Sequence, residues 1–125
     1  MNLQSPKYIV AIGGSAGALE TFERLVKKLP KDSSAAYVII QHMSPTQKSL
    51  LPELLSKMSS IPVHVATQGL DLKPNHIYVI EPGTILTISH SRFVVEKIHN
   101  QMERTHPVDI FFGSIAAAWG TNACF

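Results

Sequence analysis

The first residue in this chain equipped to do chemistry is a serine on a glycine-rich turn. Ser15 sits within Gly13-Gly14-Ser15-Ala16-Gly17, which satisfies the G-x-S-x-G pattern of an exposed nucleophile. Small neighbours at Gly14, Ala16 and Gly17 let a substrate backbone come close. The first free N–H groups of a helix that follows such a turn point at any developing oxyanion. A hydroxyl is a weak nucleophile until a neighbouring base takes its proton. His42 is the candidate base, 27 positions further on. Taken locally, the same residues also fit a tight turn in which Ser15 caps a helix and His42 is an ordinary loop residue.

The elements between the two residues decide whether they can meet. Tyr8 to Ile12 is apolar and largely β-favouring, as expected of a strand buried on both faces. From Leu19 the apolar period changes, and Leu19, Phe22, Leu25, Val26 and Leu29 share one helix face. A helix from about Ala16 to Leu29 is expected, ended by Pro30-Lys31-Asp32. Ala36 to Gln41 reads as a second buried strand. Two buried strands joined by a helix make a right-handed βαβ unit with parallel strands. Ligands of such sheets collect beyond the carboxyl ends of the strands. Ser15 and His42 are the residues just past those two ends.

The rest of the chain departs from strict βαβ repetition. Ser49 or a near neighbour should cap a helix carrying Leu50, Leu51, Leu54, Leu55 and Met58, with Pro52 in its first turn. Pro62 to Ala66 and Ile77 to Ile80 read as strands. Ile85 to Ser89 and Phe93 to Lys97 flank His90-Ser91 as a β-hairpin. Residues 98–106 form a polar loop, and Pro107 begins a helix with Ile110, Phe111, Ile115, Ala118 and Trp119 on or near one face. Gly120 should stop that helix, and Asn122 to Phe125 enters another strand. The expected fold class is α/β and Rossmann-like: a mainly parallel sheet with helices on both faces, a β-hairpin insertion and its last strands missing at the C-terminus. Residues 1–7 read as a tail and 8–125 as the amino-terminal part of one domain.

Composition narrows the class. A chain of 125 residues with 45% hydrophobic and 16% charged residues suits one globular domain. A net charge of +2 with interspersed signs argues against a nucleic-acid surface, and Lys27, Lys28 and Lys31 read as a solvated helix end. Cys124 is the one cysteine, which excludes an intrachain disulfide. No apolar signal core precedes Tyr8 and no run approaches a membrane span, so no membrane insertion is expected and a cytoplasmic protein is the reading.

Other chemistries fit less well. A dinucleotide fingerprint needs glycine where Ser15 and Ala18 stand, and an acid where Gln41 and His42 stand. His64, His76, His90, His99 and His106 offer no pair at ligand spacing on a helix and read as scattered surface residues, so neither metal nor cofactor is expected. An orienting carboxylate is harder to find. Asp32 enters the second strand at the wrong end, Asp71 lies in a loop, and Asp109 sits where it stabilises a helix dipole. Glu81, which follows a strand, is the least poor internal candidate.

The segments Ile12-Gly13-Gly14-Ser15-Ala16-Gly17 and Val38-Ile39-Ile40-Gln41-His42-Met43 resemble the chemotaxis methylesterase family, CheB. His106 to Ser114 looks like that family's later helix-entry segment, and the likeness runs over nearly the whole chain from Tyr8. Gln41 to Pro45 and Lys48 to Leu55 are most similar to methylesterase domains fused to a CheR methyltransferase. The resemblance implies hydrolysis of γ-methyl glutamyl esters on methyl-accepting chemoreceptors, with Ser15 as nucleophile and His42 as general base. It also implies a third member, an aspartate in a glycine-rich loop after the next strand, and that strand is the one expected to be cut at Phe125. Ala18 departs from the second glycine common after the serine motif, and no receiver domain is expected within these 125 residues. A sheet edge left unpaired by that cut would invite self-association. Two other readings stay open: a degenerate or truncated esterase fold that only docks to receptors or to a fused partner, and a nucleotide or phosphate binder using the same turn.

Overall fold

The computed structural model describes residues 5–14, 19–41, 50–98 and 106–125. The described strands β1 (Tyr8–Gly14), β2 (Ala35–Gln41), β3 (Val63–Val65), β4 (Ile77–Val79) and β7 (Ala123–Cys124) form one sheet in the order β3-β4-β2-β1-β7. Every pairing in it is parallel. β5 (Thr84–Ser89) and β6 (Arg92–Lys97) make a separate antiparallel hairpin. The expected α/β architecture is therefore present, with the hairpin as the antiparallel insertion.

Burial explains the order. All seven residues of β2 are buried, as a central strand of a covered sheet requires. Side chains alternate across it. Ala35, Tyr37 and Ile39 join Phe22 and Val26 of α1 (Leu19–Lys27) and Leu51 and Leu55 of α2 (Leu51–Met58). Ala36, Val38 and Ile40 join Phe111 and Ile115 of α3 (Pro107–Trp119), together with Leu86 and Phe93 of the hairpin. Helices thus cover both faces, and the hairpin shares one of them with α3. The hairpin is tied to that helix: Ile88 N–H donates to Ser114 Oγ at 3.2 Å, and Trp119 Nε1–H donates to the His90 carbonyl at 3.0 Å.

Several boundaries differ from the sequence expectation. β1 runs on through Gly13 and Gly14 rather than stopping at Ile12, because β2 supplies ladder partners out to Gln41. α1 ends at Lys27, two residues early, as the chain tightens through a Lys28 N–H bond to the Leu25 carbonyl at 3.0 Å. The Ala36 strand begins one residue earlier, while β3 and β4 are trimmed to three residues each. The N-cap of α2 falls on Leu50 with no side-chain cap, and Pro52 lies in the first turn as expected; Ser49 is outside the described residues. Pro107 opens α3 and Gly120, at φ 54°, closes it. The face of α3 is shifted, however. Pro107, Phe111 and Ile115 are buried at a spacing of four, whereas Ala118 is exposed.

Gly13 has a packing reason rather than a turn reason. A Cβ built there would stand 2.6 Å from Val108 Cγ1 and 3.1 Å from Val108 Cγ2. Valine is stiff about χ1, so α3 itself must retreat if Gly13 gains a side chain. Gly13→Ala is therefore expected to lower unfolding free energy by about 1–3 kcal/mol, as overpacking does. Gly13→Ala combined with Val108→Ala should lose clearly less than the sum of the two single changes. Urea melts of the four proteins measure this.

Candidate functional site

The parallel ladder of β1 on β2 fixes what lies side by side. Tyr8 pairs with Ala35, and the register holds through Gly13 with Ile40 to Gly14 with Gln41. The two strands therefore reach their carboxyl ends together, about 4.8 Å apart in the hydrogen-bonding direction. Gly14 is followed in sequence by Ser15, and Gln41 by His42. Ser15, Ala16, Gly17 and His42 lie outside the described residues; of the expected site residues, Gly14 lies within them. Gln41 is a buried polar residue at this edge and makes an interaction of its own.

The start of α3 reaches the same edge. Val108 presses on Gly13, so the first turn of a 13-residue helix stands over the carboxyl end of β1. Sequence reasoning could recognise that helix from Pro107 but could not place its start, because only tertiary packing brings Val108 to Gly13. Asp109 is exposed in that first turn, where it complements the helix dipole.

The other internal candidates Glu81, Asp71 and Asp32 do not converge there. Glu81 is exposed and leaves β4, so β2 stands between its strand and β1. Its carbonyl accepts from Thr84 Oγ1–H at 2.6 Å, a local turn contact. Asp71 is held by Arg92, with Nε donating to Oδ1 at 2.8 Å on the hairpin side. Asp32 lies before β2, at the opposite end of the sheet.

The comparisons with known proteins fall on this frame. Residues 10–125 match the family model described as CheB methylesterase. The chain belongs to the CheB methylesterase family. A CheB catalytic domain of Thermotoga maritima superposes with a TM-score of 0.84 at 25% identity, over 97% of this chain and 65% of that one. The protein-glutamate methylesterase/protein-glutamine glutaminase 1 of Pseudomonas fluorescens is 33% identical over 124 residues, covering 92% of this chain and 34% of its own length. The corresponding Salmonella typhimurium protein is 34% identical over 125 residues, covering 97% of this chain and 36% of its own. The chain thus spans about a third of these curated CheB relatives.

The expectation of scattered histidines fails for two of the five. In the β3–β4 ladder His64 stands opposite Tyr78, and His76 lies two residues before Tyr78 on the same face. The three rings consequently gather at one sheet edge. His64 Nε2 and His76 Nδ1 are 2.7 Å apart, with ring planes within 8° of parallel. That separation is closer than stacked rings allow, so the imidazoles meet edge to edge and share a proton. It is also shorter than the roughly 3.3 Å between two nitrogens on one tetrahedral zinc. Among the described residues no three metal-ligating side chains come together. The signal for the ring cluster was the alternation Val63-His64-Val65 and His76-Ile77-Tyr78, but it becomes legible only once the strands are known to pair in this register.

Tyr78 is locked beneath the pair. Its hydroxyl donates to the Asp71 carbonyl at 3.1 Å and accepts from Lys73 N–H at 2.8 Å, and its ring lies 5.0 Å from Phe93. Burial pushes this phenol above its usual range, and the Asp71 charge adds to the effect, while the Lys73 bond works against both. An acid whose folded pKa is raised contributes stability that is lost as pH climbs past its unfolded value near 10. The chain should therefore lose stability above about pH 10 more steeply than Tyr78→Phe does. Thermal melts of both proteins across the alkaline range check this.

Proposed function

We propose that the chain carries the nucleophile and the base of a protein-glutamate methylesterase, with Ser15 as nucleophile and His42 as general base. The observation that supports this most is the register of Gly14 with Gln41, since Ser15 and His42 are the next residues of two strands that end side by side. Membership of the CheB family fits the same chemistry. The substrate is a γ-methyl glutamyl ester of a methyl-accepting chemoreceptor, and the setting is chemotactic adaptation in the cytoplasm. No helix among the described residues is long and apolar enough to cross a membrane. A CheR-type methyltransferase, fused or associated, is a proposed partner.

The reaction proceeds in two acyl-transfer steps. His42 takes the Ser15 proton as Oγ attacks the ester carbonyl. The tetrahedral oxyanion is held by backbone N–H groups near Ser15 and Ala16. Collapse expels methanol, which receives the proton from His42. His42 then activates water, and a second tetrahedral species collapses to free the glutamate and regenerate Ser15. The third, orienting carboxylate is assigned to polypeptide following β7. Because β7 is parallel to β1, a chain continuing from it runs toward the same carboxyl edge.

Beyond Val10, β1 has no ladder partner on its β7 side among the described residues. β7 pairs with Ile9 and Val10, and beyond them lies a cavity of about 470 Å³ lined by Ile12, Leu25, Val108, Phe112 and Phe125, among others. Phe125 is 65% exposed.

The proposal predicts Ser15-dependent methyl release from a methylated receptor fragment. The 125-residue chain should be about four orders of magnitude slower than a chain reaching the orienting carboxylate. Ser15→Ala in the longer chain should fall by about six orders of magnitude, leaving only the residual that the oxyanion hole and substrate binding supply. Equal release by a folded Ser15→Ala protein would remove the catalytic reading and favour a docking role. Equal rates for the short and long chains would place the acid within these 125 residues.

A further inference from the structure

We infer that the His64–His76 pair is an acid-sensitive clasp that fastens the edge strand β3 to β4. Three observations carry the inference, and none involves the catalytic edge. First, β3 is a three-residue strand at the margin of the sheet and, among the described residues, is paired on one side only. Its ladder spans three pairs, Val63 with Ile77, His64 with Tyr78 and Val65 with Val79, flanked by Ile77 N–H donating to the Pro62 carbonyl and Ala66 N–H to the Val79 carbonyl, both at 2.9 Å. The His64–His76 bond adds a side-chain link between this short strand and the residue that enters β4. Second, the bond is specific in its proton count. One imidazole nitrogen donates and the other accepts across 2.7 Å. With a proton on all four nitrogens, two N–H groups and two positive charges would face each other at that distance. The contact must then open.

Third, the surroundings oppose that second charge. His64 and His76 are half-buried between the edge strand and the loop leading into β4. Lys73, in that loop, acts on both rings with a like charge. Tyr78, from β4, presents a neutral ring 5.4 Å from His64 and 6.4 Å from His76. The nearest acid of that loop, Asp71, is spent on Arg92 of β6. Burial lowers the affinity of each histidine for its proton, Lys73 lowers it further, and His64 lowers that of His76. A base with a depressed folded pKa contributes stability that is intact above its unfolded value near 6.5 and is lost as pH falls below it. The clasp is therefore shut near neutrality and opens in mild acid. The pair titrates as a unit, so its steps belong to both rings together.

Ring-nitrogen NMR on the intact chain reads the clasp without any variant. At neutral pH His64 Nε2 and His76 Nδ1 should show one hydrogen-bonded proton between them, and both rings should change together as acid is added. Two independent titrations near the ordinary histidine midpoint would overturn the inference. Hydrogen exchange supplies the mechanical readout. On going from pH 7.5 to 5.0, protection of the Ala66 and Ile77 amides should fall about tenfold or more relative to Val38 in the same sample. His64→Gln/His76→Gln, which keeps polar side chains but cannot titrate, should abolish that relative loss. The same relative loss in the double variant would overturn the inference, as would no relative loss in the unaltered chain.

Discussion

The parallel pairing of β1 with β2 is the constraint on which everything else depends. β2 is buried along its whole length, so its backbone groups have no water to turn to and must be satisfied by neighbouring strands. β4 takes one side and β1 the other. Side chains on a strand alternate faces, so a slip of one residue would carry Tyr37 and Ile39 from the α1–α2 side to the α3 side. Two differently shaped cores therefore hold one register. That register brings the two carboxyl ends level, and the α3 start then seats against Gly13. The catalytic proposal inherits its geometry from hydrophobic packing that contains no catalytic residue.

Much of this was legible in the sequence because it was written in local patterns. Continuous apolar runs marked β1 and β2, a period change at Leu19 marked α1, and Pro107 and Gly120 bracketed α3. His90-Ser91 marked the hairpin turn, and His90 does adopt positive φ, at 59°. What escaped was set by long-range contacts. Gly13 and Gly14 look like chain breakers in isolation, yet the ladder to Ile40 and Gln41 keeps them in the strand. No local rule tells that β4 rather than β3 adjoins β2, and without that order His64 and His76 remain two unrelated histidines. Ala118 was placed by helical period alone, whereas the surface α3 packs against follows a spacing of four from Pro107 through Ile115.

The candidate site shows the same division. Residue types at Gly14-Ser15 and Gln41-His42 suggested nucleophile and base, and the observed register supplies the topological condition that the suggestion required. The carboxylates could be ranked by type but not by position. Glu81, the least poor of them from sequence, emerges one strand beyond β2 and faces solvent. Asp71 is committed to Arg92, and Asp109 to the start of α3. A glycine-rich turn after a first strand is common to many α/β proteins; the chemistry it hosts is decided by what ends the neighbouring strand. Here that strand ends in a buried glutamine followed by a histidine, not in the acid a ribose would need.

The most direct test of the account is covalent labelling with a serine-directed fluorophosphonate, followed by mass-spectrometric mapping, on the chain and on its His42→Ala variant. The account predicts a single adduct at Ser15 whose formation slows by at least two orders of magnitude when His42 is removed, as loss of a positioned general base should do. Labelling at Ser15 that proceeds equally fast without His42, or an adduct on another serine, would contradict the claim that β1 and β2 bring these two residues together as nucleophile and base.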